Sequence, residues 1–570
     1  MVVDLVAINM LPLSIVKSDE LLALTRKVSP TYALPSRKKF STKLLSKRAQ
    51  AVRALALESS RQAPNHSLTL ECDSWTSLAG VSVVAIILNR HTGESFVLDL
   101  ADASGARHTS EYLAGIVLDS LRAREVPIKK INCLVTDEAS NMKKARDLIT
   151  KSLDPERHVL HYRCMAHVFN LITGSVCNHL SVKPHISALI EMIRKISANK
   201  FLLTELKKTA NAPVKIVPKR WYSVSNAIKA MLDLQDDLSR IIDSEAARTE
   251  DIIATVANDA FWRSLRHLYV SFREISSMIG VAEASDSRLS NSFRALLEFL
   301  RLLENNTRAP YRDLVFKSTL IHFGKIDARL AMTAYALDTN HRMEFLTTAA
   351  IEEVERVCCS ILIDMGYDKC ISAPLRNEML NFRKILRRVE TYIADTFDWW
   401  SNQGSKILRK VALRMCACHG SSANTERVFS YLGNTITPLR NRLGLETAFD
   451  LTSLRVHKLS EQKRRILKQT MSMADLNEFA DDELEMPLDD ALKEPLTSSD
   501  GRRFVQLSDH LSSVDNEIGN MMYRKYIDFT KSIDNPISQS SSHVDSLSQA
   551  MEALDDLGPF PTEEDWMEFD

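Results

Sequence analysis

The chain has 570 residues, with 73 basic and 73 acidic side chains, 45% hydrophobic residues and nine cysteines. That length leaves room for several domains and the apolar fraction supplies a large core, which excludes a wholly disordered or fibrous chain. The charge balance neither supports nor opposes a nucleic-acid partner, so only local distribution informs. Basic clusters stand at Arg37-Lys-Lys39 with Lys43, Lys47 and Arg48, and at Lys463-Arg-Arg465, where solvated helix faces are the plainer explanation. The odd cysteine count without a regular framework, the absence of signal-peptide order and the lack of an apolar run near the ~20 residues of a membrane span point to a soluble chain in a reducing compartment, cytosolic or nuclear.

In chain order, residues 1–62 read as an N-terminal helical region, with a turn at Pro35-Ser-Arg37 and apolar residues at helical spacing from Thr42 to Leu57. The pattern then shortens. Leu68 to Asp73, Val81 to Leu88 and Ser95 to Leu100 are strand-length apolar runs separated by turn residues, Gly80 and His91-Thr-Gly93 among them, and predict an antiparallel meander. A helix is expected from His108 to about Arg122, a strand from Lys130 to Thr136, a helix from Ser140, and a last strand at His158 to His161. The order βββαβαβ is that of a ribonuclease H-like core, whose first part spans 63–163.

Residues 164–400 change to long amphipathic helices, such as Phe293 to Glu304 and Phe345 to Ile361, and are predicted to form a helical insertion domain. The α/β core would resume in 401–460 with its final helices. From 461 to 570 the chain turns acidic and serine-rich and ends Glu563-Glu-Asp-Trp-Met-Glu-Phe-Asp570. This composition predicts a mostly disordered tail with short helices. The fold class expected is therefore α/β plus all-α, an interrupted sheet domain followed by an acidic tail.

Three carboxylates carry the candidate chemistry. Asp73 ends the first strand in Leu68-Thr-Leu-Glu-Cys-Asp73, Asp137 ends the fourth in Ile131-Asn-Cys-Leu-Val-Thr-Asp137, and Glu426 lies in the helical run Ser421-Ser-Ala-Asn-Thr-Glu-Arg-Val-Phe-Ser430. Singly, either aspartate can cap the segment that follows it. Glu426 sits inside a helix that needs no cap, and the three together occupy the elements that place acids over one sheet. Such a trio can hold two Mg²⁺ or Mn²⁺ ions for phosphodiester displacement. Cys164 and His167 form a Cys-x-x-His pair, but two ligands without a second well-spaced pair make zinc an unfavoured reading. In Arg220-Trp221 an aromatic ring beside a guanidinium can hold an unstacked base while the cation meets phosphate; a core tryptophan beside a paired arginine is the alternative, and Trp75 and Trp399 are expected in the core.

These residues resemble the hAT superfamily of DNA transposases. The resemblance rests on Pro12-Leu-Ser14, Pro35-Ser-Arg37, Asp73-Ser-Trp-Thr-Ser77, Thr136-Asp-Glu-Ala-Ser-Asn141, Cys164-Met-Ala-His167 with Asn170-Leu171, Arg220-Trp221 and Trp399-Trp400. It closes with Ser422-Ala-Asn-Thr-Glu-Arg-Val-Phe-Ser430 and Arg440-Asn-Arg-Leu443, so that it spans about Leu11 to Leu459. It implies Asp73, Asp137 and Glu426 as a catalytic, Mg²⁺-binding or Mn²⁺-binding triad, Trp221 as a base-stabilising residue with Arg220 on phosphate, and Cys164 and His167 as structural residues beside the site. It further implies a DNA partner, dimerisation through the block after Glu426, and a nuclear location. The chain has no cysteine before Cys72, so the BED-type zinc finger common at the family's N-terminus is expected to be missing. That departure keeps a second expectation open: a domesticated, non-catalytic nuclear protein that binds DNA, dimerises and regulates transcription.

Overall fold

A computed structural model describes residues 2–77, 80–137, 139–153, 159–209, 212–217, 223–242, 250–284, 287–305, 311–324, 326–388, 393, 395–437, 443–474 and 513–529. Five strands form one mixed sheet: β1 Leu68–Thr76, β2 Ser82–Arg90, β3 Ser95–Asp102, β4 Ile131–Thr136 and β5 Leu160–Arg163, in the order β3-β2-β1-β4-β5. The first three pair antiparallel, with Asp73 opposite Ala85 and Glu71 opposite Ile87. β4 and β5 join parallel to β1 and to each other. All six residues of β4 are buried, as expected of an inner parallel strand covered on both faces.

Strand periodicity divides the two faces. Leu70, Cys72, Val84, Ile86, Leu88 and Leu134 pack beneath the helices Ser110–Ala123 and Ser140–Leu153. Val83, Ala85, Ile87, Val97 and Leu100 face Val428, Phe429 and Leu432 of the helix Ala423–Thr435 and Ala448 of the helix Leu445–Ala474. Since directly opposed residues share a face, the odd positions Glu71 and Asp73 look toward the helix that carries Glu426. Trp75 lies half-buried on this face, stacked on Phe429 with ring centroids 5.9 Å apart.

The helical insertion centres on Asp259–Glu283, capped by Asn258, whose side chain accepts from the Ala260 and Phe261 amides. Phe261, Trp262, Leu265, Leu268, Phe272, Ile275 and Ile279 of this helix enter a core that continues without a break to Cys133, Val135 and Tyr162 of the sheet. The helix Leu408–Cys416 buries Leu408, Val411, Ala412 and Met415 in this same continuous core. The same helix already meets the sheet, where Asn132 Nδ2 of β4 donates to the Arg414 carbonyl at 2.7 Å and Arg414 Nε donates to Asn132 Oδ1 at 3.0 Å. Trp400 is fully buried and donates from Nε1 to the Leu337 carbonyl at 2.8 Å, while Trp399 is half-buried beside it.

Among the described residues, the first and the last segments pack against elements remote in sequence. Val6, Leu13, Val16, Phe40, Leu45, Ala49 and Val52 form a core with Leu451 and Leu454, and Arg53 pairs with Asp450 at 2.8 Å. Two helices are described beyond residue 460, where short helices are expected. Leu445–Ala474 runs past residue 460, and Ser513–Tyr526 folds back on the insertion. There Tyr523, Tyr526 and Ile527 are buried, Leu346 bridges to Ile527, and a Cβ on Gly519 would stand 1.9 Å from the Leu320 carbonyl oxygen. Apolar contact with a preformed groove supplies what the tail's own composition lacks. Among the described residues no helix is long and apolar enough to cross a membrane.

Candidate active site

The three candidate acids come from three elements. Asp73 is on β1, Asp137 follows β4, and Glu426 lies in the first turn of Ala423–Thr435. All three are half-buried. Burial, reinforced by the negative charges of Asp137, Glu426 and Glu71, holds the Asp73 carboxyl well above its ordinary range. The Asp137 carboxyl is also raised by burial, against the opposing pull of His167, the Ala139 amide and Arg146. Nearby like charges disfavour ionisation, and Asp137 and Glu426 both act on Asp73 in this sense, after burial.

Local hydrogen bonds aim two of the carboxylates. Asp73 Oδ1 accepts from the Ser74 amide at 2.7 Å, and Asp137 Oδ1 from the Ala139 amide at 3.2 Å. Arg146 is buried under the end of β4, where Nη1 donates to Thr136 Oγ1 at 3.0 Å. His167 stands on the first turn of Met165–Cys177, near enough to Asp137 for their charges to interact. Its neighbour Cys164 is buried, with a thiol pushed up to about 12, and its Sγ accepts from the His167 and Ser422 amides at 3.4 Å each. Cys164 thereby links the helix after β5 to the helix bearing Glu426. Arg220 and Trp221 lie outside the described residues, as do Glu138 and Arg440 to Arg442.

The approach to Glu426 is held from several sides. Thr69 Oγ1 donates to the Ala417 carbonyl at 2.6 Å and accepts from the His419 amide at 3.3 Å. The Leu289 amide donates to Cys418 O, the Gly420 amide to Ser287 O, and the Met165 amide to Gly420 O, all within 3.0 Å. A Cβ at Gly420 would meet Ser292 Oγ at 2.4 Å and Ser287 Oγ at 2.6 Å, so this crossing needs glycine for its close approach. Sequence reasoning passed over Thr69, Glu71, Asn89, Asn424 and His419. A signal existed for Glu71, an acid at a position whose strand neighbours and parity mark it as buried.

Among the described residues no three His, Cys, Asp or Glu side chains form a group that could cage a single ion. A two-ion site makes a different demand, pairs of acids sharing one member, and Asp73 is the member that feels both others. Carboxylate oxygens are the donors that hard divalent cations prefer.

Sheet and helices define a mixed α/β protein in which the helix bearing Glu426 packs on the face of the sheet that Asp73 shares. Residues 35–196 match a family described as a domain of unknown function (DUF659), and residues 377–457 match the hAT family C-terminal dimerisation region. Together they support an hAT-family transposase or a derivative of one. The first segment carries Asp73, Asp137, Cys164 and His167, and the second carries Glu426. No curated protein matches the chain.

Proposed function

We propose that the protein is a transposase-like enzyme that cleaves and joins DNA strands at a site built from Asp73, Asp137 and Glu426. The observation that carries the reading is that the helix bearing Glu426 packs on the face of β1 that Asp73 shares, where burial first, and then Asp137 and Glu426, raise the Asp73 carboxyl. The strand order β3-β2-β1-β4-β5, with three antiparallel strands followed by two parallel ones, supports a ribonuclease H-like core as its frame.

Asp73 and Asp137 would hold one Mg²⁺ or Mn²⁺ ion, and Asp73 and Glu426 the other. When bound, the two ions supply activation of the attacking hydroxyl and stabilisation of the leaving oxygen in an in-line displacement. The Ser74 and Ala139 amides keep the two aspartates aimed. Cys164 and His167 are assigned a structural role beside the site, on the turn that joins β5 to the helix Met165–Cys177. Arg220 and Trp221 are assigned phosphate contact and base stacking on the strength of the family resemblance. The dimerisation region at 377–457 supports a homodimer or larger oligomer, and a chromosomal DNA substrate would call for a nuclear location.

Nicking of supercoiled plasmid by the purified chain in Mn²⁺ tests the proposal. Activity in the parent that both Asp73→Asn and Glu426→Gln abolish supports it. A folded, DNA-binding parent that does not nick at any Mn²⁺ concentration refutes catalysis and favours a domesticated regulator.

A further inference from the structure

A second acid lies beneath the proposed site, and its partners tie the sheet to the helix bearing Glu426. Glu71, two residues before Asp73 on the same face of β1, is 0% exposed. Its Oε1 accepts from Asn89 Nδ2 of β2 at 2.6 Å and from Asn424 Nδ2 at 3.3 Å, and His419 Nδ1 stands 3.5 Å away. Asn424 Nδ2 also donates to Asn89 Oδ1 at 3.0 Å, closing a triangle across two strands and a helix. From Asn424 the network continues outward. Arg427 Nη1 donates to Asn424 Oδ1 at 2.8 Å, and Arg427 Nη2 donates to the Glu283 carbonyl at the end of the insertion's central helix.

We propose that Glu71, Asn89 and Asn424 are a positioning clamp that sets the rotation of the Ala423–Thr435 helix and thereby presents Glu426 to Asp73. This rests on the reading of Glu426 as a metal-holding acid. Successive helix residues are displaced by about 100° around the axis, so a slip of one residue would turn Glu426 away from the sheet. The apolar contacts of Val428, Phe429 and Leu432 are non-directional and do not fix that angle alone. A triangle of directed, buried hydrogen bonds does, because rotation would leave a buried polar group without its partner. Arg427 extends the clamp to the insertion, which makes the setting of Glu426 sensitive to the helical domain as well as to the sheet.

The test compares the full-length parent with Glu71→Ala, Asn424→Ala and Glu71→Gln, the last of which keeps the Oε1 acceptor. Three readouts are taken: single-turnover nicking in Mn²⁺, Mn²⁺ binding by calorimetry, and backbone hydrogen exchange across residues 423–435. Both alanine variants are expected to lose roughly 10- to 100-fold in nicking rate, to bind Mn²⁺ about 10-fold more weakly, and to exchange faster in 423–435 than in the flanking helices, with DNA affinity within about twofold of the parent. Glu71→Gln is expected to stay within about threefold of the parent on every readout. Equal losses in Glu71→Ala and Glu71→Gln, or unchanged exchange in 423–435, would overturn the clamp. If Glu71→Ala does not fold, Asn89→Ala replaces it in the comparison. Should the parent not nick DNA, the catalytic reading fails, while the exchange comparison still decides whether the clamp sets the helix.

Discussion

Replacing Glu71 with glutamine removes a titration and leaves the side chain's length and its Oε1 acceptor in place. Burial pushes this carboxyl up to about 8 from an ordinary value near 4.5, outweighing the opposing pull of Asn424, Arg427, the Thr425 amide and Asn89. Each displaced unit is worth about 1.4 kcal/mol, so keeping a proton at pH 7 that the unfolded chain would have shed costs about 3 kcal/mol. The sign follows from the direction: with the folded value above the unfolded one, this group's contribution is whole below pH 4.5 and is lost as pH rises to 8. Urea unfolding of parent and variant at intervals from pH 5 to pH 8.5 measures the effect. The glutamine chain should gain on the parent by about 1.4 kcal/mol per pH unit up to pH 8, then hold a constant lead. Parallel pH profiles for the two chains would refute the reasoning.

Three further outcomes are expected. Gly519→Ala sets a methyl against the Leu320 carbonyl, and should weaken docking of Ser513–Tyr526 by about 1–3 kcal/mol, read as loss of hydrogen-exchange protection across 519–529; unchanged protection would mean that the helix is held elsewhere. Changing the exposed Arg37, Lys38, Lys39, Lys43 and Lys47 together to glutamine should make the dependence of DNA affinity on salt shallower by up to about 4 in log–log slope; an unchanged slope would return these residues to the role of a solvated face. Trp400→Ala removes a fully buried ring and its bond to Leu337, and should cost about 3–5 kcal/mol in unfolding measurements; a loss below about 1 kcal/mol would contradict the packing.

The sheet is legible in the sequence because apolar runs of strand length alternate with turn residues, and β1 to β4 fall within a few residues of the expected bounds. The last strand is shifted from His158–His161 to Leu160–Arg163, since register there depends on pairing with β4 and not on its own pattern. Asp73, Asp137 and Glu426 are legible as candidates from their elements. What places Glu426 near the sheet is not, because the return through Ala417 to Ser422 is fixed by Thr69, Ser287, Leu289 and Met165, partners remote in sequence with no periodic signature. The packing of Val6, Leu13 and Phe40 on Leu451 and Leu454 is hidden for the same reason. Composition also gives no hint that Ser513–Tyr526 would dock, as its anchors are isolated aromatics within a polar stretch.

The placement of Glu426 beyond the insertion has a consequence during synthesis. Asp73 and Asp137 leave the ribosome early, but the helix that completes the cluster follows the entire helical domain and is seated only when Ser287, Leu289 and Met165 can receive the chain before it. At ~5–20 residues per second this delay amounts to tens of seconds. A nascent or prematurely terminated polypeptide therefore carries Asp73 and Asp137 without Glu426, and under the proposed reading it would be unable to cut DNA before its synthesis is complete.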